Sequence, residues 1–71
     1  MMHIGKVIEY TLHEQGRSVS WLAEQLCCTR VNVYKVFHRE SIDVHMLSRI
    51  SKALSHDFFK DLSRALENDD V

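Results

Sequence analysis

Between Leu26, the last apolar residue of one helical pattern, and Thr29, a good cap for the next, stand only Cys27 and Cys28. So short a link forces two helices to meet at a tight corner, and a helix-turn-helix is the commonest motif that contains one. The flanking residues suit that corner. Ala23 is small enough to let the following helix approach closely, and Val33 and Val36 fall where the second helix must meet the first.

Helical spacing recurs along the whole chain, and strict apolar/polar alternation persists nowhere. Ile4, Val7, Ile8 and Leu12 share one face of a first helix, with Gly16 behind them as a C-terminal stop. Ser18 caps a second helix whose Leu22, Ala23 and Leu26 face inward. Thr29 caps a third, with Val33, Val36 and Phe37 inward. Asp43 caps a fourth, where Ile42 and Leu47 have the spacing of a hydrophobic staple and Ile50 and Leu54 continue the apolar stripe. A fifth is expected to begin near Asp57 and to pack through Phe58 or Phe59, Leu62, Ala65 and Leu66, since adjacent phenylalanines cannot both point inward. The expectation is an all-α domain of five short helices over residues 1–66, followed by an acidic tail, 67–71, that frays.

Several function classes are excluded at this level. No run approaches roughly 18 consecutive apolar residues, so no membrane span is expected. The start, MMHIGKV, has no apolar signal core, which argues for a cytoplasmic protein. There is no glycine-rich phosphate loop and no nucleophile with a recognisable base, and the chain is too short for a sizeable pocket. Neither catalysis, nor a cofactor, nor a small-molecule ligand is therefore expected. His3, His13, His38, His45 and His56 form no i,i+4 pair and no HxxxH or CxxH pattern, so no metal site is expected. Two adjacent cysteines make no disulfide framework. Cys28 suits the apolar position that caps the space between the second and third helices, as a small buried hydrophobe. Cys27 should be exposed, a candidate redox-sensitive thiol.

Charge is placed unevenly although the net charge is only −1. Residues 28–39 carry Arg30, Lys35 and Arg39 and no acid, a local +3, whereas residues 57–71 sum to −3. On a helical wheel, Arg30, Val31, Tyr34, Lys35 and His38 fall within a sector of roughly 140° opposite Val33, Val36 and Phe37. Cationic donors, a phenol and a branched aliphatic on one outward face suit a major groove. There, Arg and Lys donate to guanine O6 and N7 and an apolar group touches the thymine methyl.

From Ile4 to about Leu62 the sequence resembles the λ-repressor/Cro-like helix-turn-helix family, also called the XRE family. The stretch that carries the resemblance is "SVSWLAEQLCCTRVNVYKVFHRESIDVHMLSRISKAL". Its markers are Ser18, the pair Leu22–Ala23, Leu26, Thr29, Val33 and Val36, then "LSRISKAL". The resemblance implies a five-helix domain whose third helix enters the major groove. It also implies transcriptional regulation through binding to double-stranded DNA, with base contacts from Arg30, Val31, Asn32 and Lys35, and Tyr34 nearby. DNA-backbone contacts would come from Ser18, Val19, Thr29, His38, Arg39 and Ser41. The sequence departs from the family at Cys27, where glycine is usual, at Val19 in place of a glutamine, at Phe37 in place of a glutamate and at Arg39 in place of a glycine.

A homodimer on paired half-sites is expected, with Phe59 and Leu66 as candidate seam residues. The competing expectation is a helix-turn-helix used as a protein-interaction module, such as an antirepressor or adaptor, with little DNA binding. For Trp21, at a position that normally faces solvent, the expected role is to fold over the first helix.

Overall fold

Each helix starts where a side chain can accept one of the amide protons that the first turn leaves without a partner. Ser18 Oγ accepts from Trp21 N at 3.0 Å, Thr29 Oγ1 from Asn32 N at 3.2 Å and Asp43 Oδ1 from Met46 N at 2.8 Å. His3 Nδ1 does the same for Lys6 N at 3.2 Å, a cap not anticipated from the sequence, and Asp57 Oδ1 for Lys60 N at 3.1 Å. The computed structural model, which describes residues 2–68, accordingly contains α1 (Ile4–Glu14), α2 (Val19–Gln25), α3 (Arg30–Phe37), α4 (Val44–Leu54) and α5 (Phe58–Asn68). The described residues form an all-α, five-helix structure. Glu67 and Asn68, placed in the fraying tail by sequence, belong to α5; residues 69–71 lie outside the described residues.

Three helices stop by one device. After α1, α2 and α4 a residue turns left-handed: Gly16 (φ 68°), Cys27 (φ 55°) and Ser55 (φ 50°). The amides that follow then reach back to otherwise unpaired carbonyls. Arg17 N donates to Leu12 O at 3.1 Å, Cys28 N to Ala23 O at 2.9 Å and His56 N to Ser51 O at 3.0 Å. Glycine adopts this conformation freely, whereas a side chain costs roughly 1–2 kcal/mol there. Cys27→Gly is therefore expected to stabilise the fold by about 0.5–1 kcal/mol, part of the relief being offset by the greater freedom of glycine in the unfolded chain. A urea midpoint that stays put or falls would contradict this strain.

The inward residues assemble one core: Ile4, Ile8 and Leu12 from α1, Leu22, Ala23 and Leu26 around α2, Val33 and Phe37 from α3, Leu47, Ile50 and Leu54 from α4, and Phe58 from α5. Val7, Val36, Ile42 and Leu62 pack on its margin. Between the two phenylalanines the choice falls on Phe58, fully buried, against Phe59, 37% exposed. Leu66 departs from the expected packing of α5. It is 66% exposed, because α5 turns inward through Phe58, Leu62 and Ala65 and leaves Leu66 on the side away from the core. Trp21 is half-buried against the core, and the guanidinium of Arg17 lies 4.0 Å from its ring centroid, a cation–π contact.

Three ties between helices were not anticipated. Ile4 N and Gly5 N, unpaired at the start of α1, donate to Glu40 O at 3.2 Å and Arg39 O at 3.0 Å just beyond α3. The positive end of one helix dipole thus meets the negative end of another. Arg49 Nη2 from α4 donates to Leu26 O at 2.6 Å at the end of α2, and Gln15 Nε2 donates to Leu54 O at 2.7 Å at the end of α4.

Candidate nucleic-acid interface

The position of α3 follows from its two ends. Thr29 fixes the first turn, and the backbone beyond Phe37 is pinned to α1 through the carbonyls of Arg39 and Glu40. With Val33 and Phe37 buried and Val36 half-buried, the opposite face must be outward. Arg30, Val31, Asn32, Tyr34, Lys35 and His38 are all exposed, Val31 at 61% and Tyr34 at 52%. Tyr34 is held edge-on against Phe37, with ring centroids 6.1 Å apart and planes at 87°. The core thereby orients a phenol that stands at the surface.

The expected phosphate contacts surround this face unequally. Ser18, Thr29, Arg39 and Ser41 are exposed. Val19 packs its side chain on the core, so its outward contribution is the backbone amide. Ser18 and Thr29 each spend their side-chain oxygen on capping, and the amides preceding the capped ones, at Val19, Ser20, Arg30 and Val31, carry the positive ends of α2 and α3. Arg39 continues the cationic edge beyond α3, after the imidazole of His38, and no carboxylate precedes Glu40 there. The geometry brings together a strip of cations flanking an apolar and aromatic centre.

Phe59 and Leu66, seven residues apart on α5, are both exposed and share a face of that helix. The sequence reading missed two further exposed apolar side chains, Tyr10 at 67% and Val44 at 71%. Tyr10 OH donates to Glu14 Oε1 at 3.3 Å, an ordinary pair along one helix face. Among the described residues no three His, Cys, Asp or Glu side chains gather as a metal would require, and no helix is long and apolar enough to cross a membrane. Cys27 is exposed and Cys28 half-buried, and both are free thiols.

The expectation that so short a chain has no sizeable pocket needs correcting. A depression of about 500 Å³ lies where the start of α1 meets α4 and α5, bordered by Met2, His3, Ser41 and Leu62. A smaller cavity of about 170 Å³ lies behind α3, against α4. Both arise because short helices joined by tight turns cannot close every gap between their ends. No family model, no curated protein and no solved structure matches this chain.

Proposed function

We propose that the chain is a sequence-specific, double-stranded DNA-binding transcriptional regulator. In this reading α2 and α3 act as a helix-turn-helix, α3 lies in the major groove, and the protein works by occupancy, without catalysis or cofactor. The observation that carries it is the outward face of α3, where Arg30 and Lys35 flank exposed Val31 and Tyr34 with no acid among them. An exposed valine beside an arginine serves little purpose in water alone. In a major groove the pair offers a thymine-methyl contact and a bidentate guanine contact. The exposed Arg39 and the imidazole of His38, together with the amides at the start of α3, support phosphate contact alongside. The sequence resemblance to λ-repressor-like regulators supports the same reading.

One module buries only ~600–1,000 Å² of protein surface on DNA. Useful affinity therefore calls for two copies on half-sites one turn apart, about 34–36 Å, and the exposed Phe59 and Leu66 of α5 are the residues proposed to join them.

Two substitutions separate base readout from phosphate contact. Arg30→Ala is expected to lower affinity for the preferred site by about 1–3 kcal/mol and to relax the preference at one base pair. Arg39→Ala is expected to weaken all duplexes alike and to reduce the slope of log K against log salt by about 0.9 for each phosphate no longer neutralised. Fluorescence anisotropy on matched and mismatched duplexes reads both. Equal losses on every sequence from both variants would overturn the assignment of base contacts. The exposed Val31 and Tyr34 also fit a protein-interaction module. That reading prevails if bulk genomic DNA is not bound at low salt while a protein partner co-purifies.

A further inference from the structure

The cavity behind α3 is chemically two-sided. Its floor is apolar and buried, made by Leu22, Val33 and Ile50, and its walls are the half-buried Cys28, Val36 and Met46. At its mouth stand the exposed Lys35 of α3 and Arg39 just beyond it, with Asp43 also exposed on the lining. Asp43 is already engaged, since its Oδ1 caps α4 through Met46 N at 2.8 Å. Among the described residues neither Lys35 nor Arg39 forms an ion pair. An apolar hollow of about 170 Å³ is large enough for one ring or a short alkyl chain. Asp43 keeps its charge while capping, so Lys35 and Arg39 leave the rim one positive charge in excess, which favours an anionic end on that ligand, and a guanidinium favours the planar, two-oxygen geometry of a carboxylate.

We propose that this cavity binds a small amphipathic carboxylate of roughly five to nine heavy atoms in its apolar part, the carboxylate resting on Lys35 and Arg39. The long stems of these two side chains let their charged ends reach the mouth while the apolar part of the ligand stays inside. A regulatory consequence rests on the DNA reading above. Lys35 serves both the cavity and the outward face of α3, so a bound carboxylate draws its ammonium from the base edges and lowers affinity for DNA. By linkage, DNA lowers affinity for the ligand by the same factor.

The test uses the intact chain and the probes benzoate and hexanoate, with benzylamine and benzyl alcohol as charge controls. Methyl NMR signals of Val36 and Met46 are expected to shift saturably with benzoate and hexanoate, with a Kd of about 0.1–10 mM for ligands so small. Benzylamine is expected to bind at least roughly tenfold more weakly. The exposed double variant Lys35→Gln/Arg39→Gln, which leaves the core intact, should abolish the preference for benzoate over benzyl alcohol. Linear, unsaturated shifts, or equal binding of benzoate and benzylamine, would overturn the proposal. Tighter capture of an acidic peptide with a single phenylalanine and an amidated C-terminus would overturn it in favour of a protein partner. Anisotropy on a labelled duplex tests the consequence separately. DNA affinity unchanged by saturating benzoate rejects the coupling, whereas failure of the free chain to bind any duplex rejects the DNA reading and leaves the methyl titration to decide the cavity.

Discussion

Gly5→Ala is expected to lose about 3 kcal/mol or more, at the upper end of what over-packing costs. A Cβ built on Gly5 would stand 2.4 Å from the carbonyl oxygens of both Val36 and Phe37. Those are backbone atoms, so no side chain can rotate away, and relief requires α1 and α3 to separate. Separation would stretch the bonds from Ile4 N and Gly5 N to Glu40 O and Arg39 O. A domain of this size has on the order of 4–10 kcal/mol in total, at roughly 0.05–0.15 kcal/mol per residue. A fall in Tm of roughly 12–24 °C follows, at about 4–8 °C per kcal/mol. Thermal denaturation followed by circular dichroism measures it. A shift of only a few degrees would mean that the two helices are not in backbone contact. The same approach holds α3 in place, so on the proposed reading DNA affinity is expected to fall along with stability.

Phe58→Ala is expected to cost about 3–5 kcal/mol, while Phe59→Ala stays within about 0.5 kcal/mol. Phe58 is fully buried, its ring centroid 4.6 Å from that of His56, and it is the residue of α5 that reaches the core. Beyond it, α5 is held by Leu62 on the core margin and by the 2.5 Å contact between His56 Nε2 and Asp61 Oδ2. Removing the phenyl ring should release α5 as a unit and broaden the unfolding transition. Urea denaturation of the two variants side by side checks the contrast. A large loss at Phe59 instead would place the other ring in the core. If Phe59 belongs to a seam between copies, its replacement should act on the monomer–dimer equilibrium, read by sedimentation, and leave monomer stability unchanged.

The residues that the sequence made legible are those whose role is set by their immediate neighbours. Ser18, Thr29 and Asp43 each precede an apolar run, and each caps through the third amide that follows. The 3.6-residue spacing of apolar side chains located the core, and the two-residue link located the tight corner, whose left-handed residue the structure shows to be Cys27. Contacts between distant segments were not legible. Gly5 touches α3 through bare backbone, leaving in the sequence only a glycine early in a helical pattern. Arg49 on Leu26 O and Gln15 on Leu54 O pair polar side chains with carbonyls far along the chain. The choice of Phe58 over Phe59 and the exposure of Leu66 depended on the angle at which α5 leaves α4, which apolar spacing does not encode. The candidate site was legible in part in its exposure, because helical geometry turns Val31 and Lys35 away from Val33 and Phe37, whereas Arg30, seven residues before Phe37, is exposed as the first residue of α3. The cavity behind it was not, because a gap between helices has no signature along one strand of sequence.

The most direct test of the α3 face as a base-reading surface is selection of duplexes from a random library by the intact chain at low salt, followed by sequencing. The expected result is an enriched motif in two copies centred one helical turn or a multiple apart, about 34–36 Å per turn. That enrichment should vanish when Arg30, Val31 and Lys35 are all replaced by alanine in a chain that keeps its helical spectrum. A folded chain that returns the library unenriched, or an alanine variant that enriches the same motif as well as the parent, would contradict it.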